Sequence, residues 1–261
     1  METIGFIGTG NMAKAIITGN FEQSSIFAYD KNQNNYEYLK KFNVKFLENG
    51  KDVVKNSKYV VLAVKPQNYV EVLEEIKDEV KKENVLISIA AGIGEEFVSS
   101  FFKSDVKFVQ VMPNTPLMLS FGSVAICRGK QVLDFEFEFS KQIFSKNGFV
   151  CSIPKEKMND IIAINGSSPA FIYYFAMGFL EFAKKKDIDQ EKALKLFCHS
   201  LIGSAKMILN SNKPIEQLIK DVCSKKGTTE KGIEVLKENN FISIIEKTCE
   251  ETSKRAYELS K

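Results

Sequence analysis

The strongest constraint on the fold lies at the start of the chain, where the apolar run Ile4-Gly5-Phe6-Ile7 passes directly into Gly8-Thr9-Gly10-Asn11-Met12-Ala13. This reads as a strand, a tight turn and the first residues of a helix. Gly8 and Gly10 carry no Cβ, so the backbone can turn sharply and approach a pyrophosphate seated on the amides and positive dipole of the following helix. A second apolar run, Ile26-Phe27-Ala28-Tyr29, ends in Asp30 about twenty residues past Gly10, and Ala13 to Gly19 suits the helix between them. That is the βαβ setting in which a Gly-x-Gly-x-x-Ala turn binds a dinucleotide.

Bulk properties narrow the class. At 261 residues the chain can bury a dinucleotide fold and a smaller second core. Its net charge of +3 comes from interspersed lysines and acids, a solvated mixed surface that does not point to nucleic acid. Cys127, Cys151, Cys198, Cys223 and Cys249 stand far apart with no Cys-x-x-Cys, so reduced and mostly buried thiols are expected. His199 is the sole histidine, and its neighbours Phe197, Cys198 and Leu201 suggest a helix and an ordinary structural role. Metal ligation or histidine-dependent nucleophilic catalysis would depend on that one residue, and no metal site is expected. No basic segment followed by a long apolar one opens the chain, which points to the cytoplasm. Ile161 to Leu180 is uncharged and about as long as a membrane span, but Asn165-Gly166-Ser167-Ser168-Pro169 would break a helix in lipid, so no membrane association is expected.

Past Asp30, short apolar runs alternate with helical patterns. Tyr59 to Val64, Val85 to Ile89 and Lys107 to Met112 look like buried parallel strands. Tyr69 to Val80 repeats apolar residues at three- and four-residue spacing, as a helix covering a sheet does. Two more strands are predicted at Ser123 to Arg128 and Gly148 to Ser152, flanking a helix over Asp134 to Phe144. From Pro154 onward the pattern is helical, with helices predicted over Lys155 to Ile164, Pro169 to Lys185, Gln190 to Leu209, Ile215 to Val222, Thr229 to Asn239 and Phe241 to Leu259. The expected architecture is α/β: an N-terminal Rossmann-type doubly wound sheet over residues 1–153 and a C-terminal all-helical domain over 154–261. An apolar segment as extensive as 161–180 is hard to bury within so small a domain, so the helices are expected to be shared across a dimer interface.

In an open doubly wound sheet, ligands bind outside the carboxyl ends of the strands. That rule gathers Lys65-Pro66-Gln67, Ala90-Ala91-Gly92-Ile93 and Pro113-Asn114-Thr115-Pro116 around one crevice. Each phrase is small, rigid or polar, as contacts to a nicotinamide should be, although each would also serve as a tight strand-to-helix turn. Taken in order, Phe6 to Ala13, Val64 to Gln67, Ser88 to Ile93, Val111 to Pro116, Gly166-Ser167-Ser168-Pro169-Ala170 and Gly227-Thr228-Thr229 resemble the pyrroline-5-carboxylate reductases from end to end.

The resemblance implies the last step of proline biosynthesis, hydride transfer from NAD(P)H to the C=N carbon of 1-pyrroline-5-carboxylate. It implies a substrate loop in which Ser224, Gly227, Thr228 and Thr229 hold the carboxylate, with the Thr229 hydroxyl near the ring nitrogen and Lys65 a second catalytic candidate. The implied cofactor contacts are Gly8, Thr9, Gly10, Asn11, Met12, Asp30, Lys31, Ala63, Val64, Lys65, Pro66, Ala91 and Asn114. A substrate bound already protonated needs no strong general acid, which suits a chain with one histidine. Taken alone, Thr228-Thr229 would read as a simple helix N-cap. A homodimer, or a larger assembly built from dimers, is also implied.

This chain departs from the family pattern at several positions. Ser224-Lys225-Lys226-Gly227 stands where the family carries Ser-Pro-Gly-Gly, exchanging a rigid Pro-Gly for two cations: flexibility would loosen the carboxylate cradle, whereas the positive charge would attract the anionic substrate. Asn165 and Ser168 replace the usual serine and glycine, and Gln110 stands where arginine is common. Asp30 favours NADH through the ribose 2′-hydroxyl, whereas Lys31 and Asn32 pull toward NADPH; family habit implies NADPH with NADH also accepted. Two rivals differ in kind. A β-hydroxyacid dehydrogenase needs a lysine donor within 161–180, where this chain has none, and a non-catalytic nucleotide sensor would draw its best support from the altered 224–227 loop.

Overall fold

A computed structural model describes residues 2–260 of the chain. The strands are β1 (Thr3–Ile7), β2 (Ser25–Tyr29), β3 (Lys45–Phe46), β4 (Tyr59–Leu62), β5 (Val85–Ser88), β6 (Lys107–Pro113), β7 (Gly122–Arg128) and β8 (Gly148–Ser152). They form one sheet in the order β3-β2-β1-β4-β5-β6-β7-β8, parallel throughout except for the antiparallel β6–β7 pair. The helices interleaved with them are α1 (Asn11–Asn20), α2 (Tyr36–Leu39), α3 (Gly50–Asn56), α4 (Tyr69–Ile76), α5 (Glu95–Ser99) and α6 (Asp134–Ser145). The strand order reverses between β1 and β4, so a crevice opens at their carboxyl ends.

The central strands are apolar on both faces because helices cover both. Ile4, Phe6, Val61, Ile87 and Val109 pack with Ile16 of α1 and Phe144 of α6, whereas Ile7, Val60, Leu62, Leu86 and Phe108 pack with Val53 of α3 and Leu73 of α4. Each side chain points opposite to its neighbour along the strand, which is why β4 and β5 read as continuous apolar runs. Repeated βα units imply a doubly wound sheet, and within it β7 runs antiparallel to β6. The connection 114–121 holds only a short turn of 3-10 helix, and a parallel crossover needs about a dozen residues. The stretch 31–58, which has no clear periodicity, contains α2, β3 and α3.

The remaining helices are α7 (Ile161–Ile164), α8 (Ser168–Lys185), α9 (Gln190–Asn210), α10 (Ile215–Val222), α11 (Thr228–Glu238) and α12 (Phe241–Leu259). The expected helix over Lys155 to Ile164 is interrupted: a 3-10 turn at Lys155–Lys157 and the short α7 replace it. The interruption is held by local contacts. Met158 is buried against Met112, Ala125 and Cys127, and the Asp160 carboxylate accepts from Ser253 Oγ at 2.5 Å, which lowers its pKa. No helix among the described residues is long and apolar enough to cross a membrane, since Gly166-Ser167 divides the apolar segment into α7 and α8.

The chain separates into two compact units, one running through Pro169 and taking up the chain again from Glu250, the other Ala170–Cys249. The second unit has an aromatic cluster in which Phe179 lies 4.3 Å from Phe197 and Phe175 lies 6.0 Å from Phe241, centroid to centroid. It buries little else: Tyr174, Leu196 and Leu209 are 78%, 71% and 83% exposed in the single chain. The expectation of mostly buried cysteines is therefore corrected. Cys127 is buried, but Cys151 and Cys198 are exposed and Cys223 and Cys249 intermediate, because β8 lies at the sheet edge and the helical faces find few partners within one chain. His199 is exposed on α9, and among the described residues no three His, Cys, Asp or Glu side chains gather as a metal site requires.

Candidate active site

The glycine turn is built from two different needs. Gly8 adopts φ +100°, donates its N–H to Tyr29 O at 2.8 Å, and lies so close to β4 that an added Cβ would stand 2.5 Å from Ala63 O. It is what lets β1 and the end of β4 approach each other. Gly10 is the N-cap of α1, is exposed, and has no atom within 4 Å of where a Cβ would be. Among the described residues no side chain caps α1, so the amides of its first turn face open space, an arrangement suited to a pyrophosphate.

Thr9 between them is fully buried and turned inward. Its N–H and Oγ1 both donate to Asp30 Oδ2, at 2.6 and 3.0 Å, while Asn35 Nδ2 donates to Thr9 O at 2.7 Å. Asp30 Oδ1 accepts from Asn32 N at 2.9 Å. The carboxylate that ends β2 thus fixes the turn as well as facing the crevice. Lys31 beside it is ion-paired with Glu71 of α4, and that carboxylate raises the lysine pKa.

A cleft of about 850 Å³ runs along the carboxyl ends of β1, β4, β5 and β6. Of the residues expected to contact the cofactor, Gly8, Gly10, Asn11, Met12, Asp30, Ala63, Val64, Lys65, Pro66 and Ala91 line it. A smaller cavity of about 230 Å³ shares Gly8, Asp30, Val64 and Asn68 with the cleft and extends to Lys31, Glu71 and Glu75. Lys65 is exposed on the rim, just before the 3-10 turn Pro66–Asn68. Two expected contacts lie elsewhere. Thr9 is buried behind the turn, and Asn114 is buried within a polar lock: its Oδ1 accepts from Ser123 N at 2.9 Å and its Nδ2 donates to Ser123 Oγ at 3.0 Å and to Asn165 O at 3.4 Å. Asn165 in turn donates to Met112 O at 2.5 Å, so the asparagine at this family-variant position ties the end of β6 to the loop before α8.

Residue-level reading missed a second support. Tyr69, fully buried at the start of α4, donates its hydroxyl to Leu62 O at 2.8 Å and meets Ser88 Oγ at 2.8 Å. Ser88 Oγ also accepts from Ala90 N, so one tyrosine pins the ends of β4 and β5 beneath the cleft. Burial pushes that phenol pKa up. In the periodicity Tyr69 looked like any other apolar position; its place straight after the Lys65-Pro66 turn was the available signal. Met118, which also lines the cleft, lies in the turn after Pro116 and carried no signal of its own.

In the helical unit, Ser224 to Gly227 form a tight turn, with Gly227 N donating to Ser224 O at 2.9 Å. Lys226 adopts φ +60°, the left-handed region, and its N–H donates to Glu230 Oε2 at 2.6 Å. A Cβ on Gly227 would stand 2.8 Å from the backbone oxygen of Ser224, closer than a real Cβ approaches, so the tight turn favours glycine there. Gly227 is the N-cap of α11 and no side chain among the described residues caps the helix, so the reading of Thr228-Thr229 as a simple cap does not hold. Both threonines lie exposed in the first turn of α11, as Ser224 does in the loop.

Comparison with known proteins places this geometry. Residues 155–259 match the family model described as pyrroline-5-carboxylate reductase dimerisation, and residues 3–92 match one described as NADP oxidoreductase, coenzyme F420-dependent. Pyrroline-5-carboxylate reductase 3 of Danio rerio is 31% identical, over 98% of this chain and 91% of the relative. The chain belongs to the pyrroline-5-carboxylate reductase family. Among solved structures, the Coxiella burnetii pyrroline-5-carboxylate reductase superposes with a TM-score of 0.92 at 29% identity, covering 99% of this chain and 98% of the other. The Plasmodium falciparum pyrroline carboxylate reductase, solved with NADP bound, gives a TM-score of 0.90 at 26% identity and covers 100% and 98%. As a member of this family the chain is an NAD(P)H-dependent oxidoreductase, and its helical region is the family's dimerisation region.

Proposed function

We propose that this protein reduces 1-pyrroline-5-carboxylate to L-proline, acting as a homodimer in the cytoplasm. The observation that carries the reading is the family match over nearly the whole chain, joined to a glycine turn whose second glycine leaves open space before an uncapped helix. Residues 1–153 serve as the nucleotide domain and 154–261 as the substrate and dimerisation domain. Gly8, Gly10, Asn11 and Met12 hold the pyrophosphate, Asp30 and Lys31 meet the adenosine ribose, and Ala63 to Pro66 with Ala91 line the nicotinamide end.

Bound NAD(P)H supplies the hydride. The protein's own contribution is orientation and charge. The amides and hydroxyls of Ser224, Gly227 and Thr228 hold the substrate carboxylate at the start of α11, where the helix dipole favours an anion. Thr229 offers its hydroxyl to the ring nitrogen, and Lys65, exposed on the rim of the cleft, is the second catalytic candidate. A substrate held as the iminium would already carry its proton on the ring nitrogen, so these residues need supply no strong general acid.

The test is oxidation of NADPH, and separately NADH, by the purified protein with and without pyrroline-5-carboxylate, with proline quantified as product. Proline formed in step with cofactor oxidation is expected. A protein that binds the cofactor yet never oxidises it with any cyclic imine would overturn the assignment in favour of a nucleotide sensor.

A further inference from the structure

The cavity beyond the glycine turn is unusual in charge for one that would receive a phosphorylated ribose. Among the described residues three carboxylates line it, Asp30, Glu71 and Glu75, against the single cation Lys31. Asp30 is committed through both oxygens, to Thr9 and to Asn32 N. Glu75 accepts from Gly50 N at 2.7 Å, which ties it to α3. Glu71 instead takes the ammonium of Lys31, and both side chains are more than 60% exposed at the mouth. A carboxylate ending the second strand suits a free 2′-hydroxyl, whereas a neighbouring cation suits a 2′-phosphate. Here that cation already has a partner.

We propose that Glu71 sets the balance between NADPH and NADH by competing with the 2′-phosphate for Lys31. This rests on the cofactor assignment made above and goes beyond it. To bind NADPH, Lys31 must leave Glu71 for the phosphate, and the phosphate must then tolerate the freed carboxylate; NADH demands neither. An exposed ion pair is weak enough to exchange, so Glu71 biases the choice without forbidding NADPH.

The experiment is calorimetric titration of the whole protein with NADPH, NADH and the probe 2′,5′-ADP, which needs no turnover. Glu71→Gln should raise the ratio of Kd for NADH to Kd for NADPH by about tenfold and tighten 2′,5′-ADP to match, since it removes both the competitor and the repulsion. Lys31→Met should lower that ratio, and the gain from Glu71→Gln should fall to less than half in the Lys31→Met background, the mark of a shared partner. A ratio that moves less than twofold in Glu71→Gln, or a gain undiminished without Lys31, would overturn the proposal while leaving the cofactor assignment intact. A wild-type protein that binds neither dinucleotide would overturn both. Both residues are exposed, so these variants should fold as the wild type does, and urea unfolding of each checks it.

Discussion

Replacing Gly8 by alanine and Gly10 by valine should damage the protein in opposite ways, although the two glycines share one turn. At Gly8 the backbone has φ +100°, which costs an L residue roughly 1–2 kcal/mol. The new methyl would also stand 2.5 Å from Ala63 O and 2.8 Å from its carbonyl carbon, backbone atoms at the end of a central strand that cannot swing aside. Such overpacking adds about 1–3 kcal/mol, and the lower entropy of the unfolded chain returns about 0.4–1 kcal/mol. The net expectation is a loss of about 2–4 kcal/mol, read from urea unfolding without cofactor. Gly10 has φ −65° and ψ −177°, allowed to any residue, and its Cβ meets nothing within 4 Å. Gly10→Val should therefore stay within about 1 kcal/mol of wild type, yet weaken NADPH by at least about tenfold because the side chain fills the pyrophosphate's space. The reasoning is refuted if Gly10→Val unfolds as readily as Gly8→Ala, or if it binds NADPH like wild type.

Four further outcomes are expected. Thr229→Ala should lower kcat more than it changes the Kd for NADPH, because the hydroxyl addresses the substrate; equal losses in steady-state and binding measurements would contradict that role. Lys226→Gly should be about 0.5–1 kcal/mol more stable than Lys226→Ala in thermal or urea unfolding, since both remove the charge and only glycine relieves φ +60°. Lys107→Met should cost about 2–4 kcal/mol in urea unfolding, because Glu136, 2% exposed and 2.5 Å from the ammonium, loses its counter-ion and keeps only Leu133 N as a donor. Tyr69→Phe should cost about 1–3 kcal/mol by the same assay, leaving Leu62 O without the phenol donor.

Much of the fold was readable because burial writes periodicity into a chain. β4 and β5 are covered on both faces, so they appear as unbroken apolar runs; α4 and α6 are covered on one, so they appear as stripes. Where an element is too short to bury much, the signal vanishes, as with the two-residue β3 and the single turn of α2. The direction of β7 was decided by the length of the connection 114–121, a geometric limit with no hydrophobic signature. In the helical unit the boundaries of α10 and α12 were legible from amphipathic spacing, but burial was not. A stripe on a helix shows that something must cover it without showing whether the cover comes from the same chain, and the exposed Tyr174, Leu196 and Leu209 show how little of it the single chain provides.

The site was legible as a set of phrases and less so as a set of side chains. The strand-end rule gathers Gly8, Ala63 to Pro66 and Ala91 into one cleft because it depends only on where the backbone emerges from the sheet. It does not say which way a side chain turns once there. Thr9 gives both its donors to Asp30 Oδ2, and Asn114 spends its amide on Ser123 and Asn165. A polar residue in a tight turn can serve the ligand or the turn itself, and which it serves depends on distant partners such as Asn165, whose relevance no local pattern signals. The same logic reaches the cofactor pocket. A lysine following the acid of the second strand reads as a phosphate contact, but its effective charge is set by Glu71, brought alongside by the fold from α4. On the proposal made above, cofactor choice turns on a residue far along the sequence from the turn that announces the cofactor.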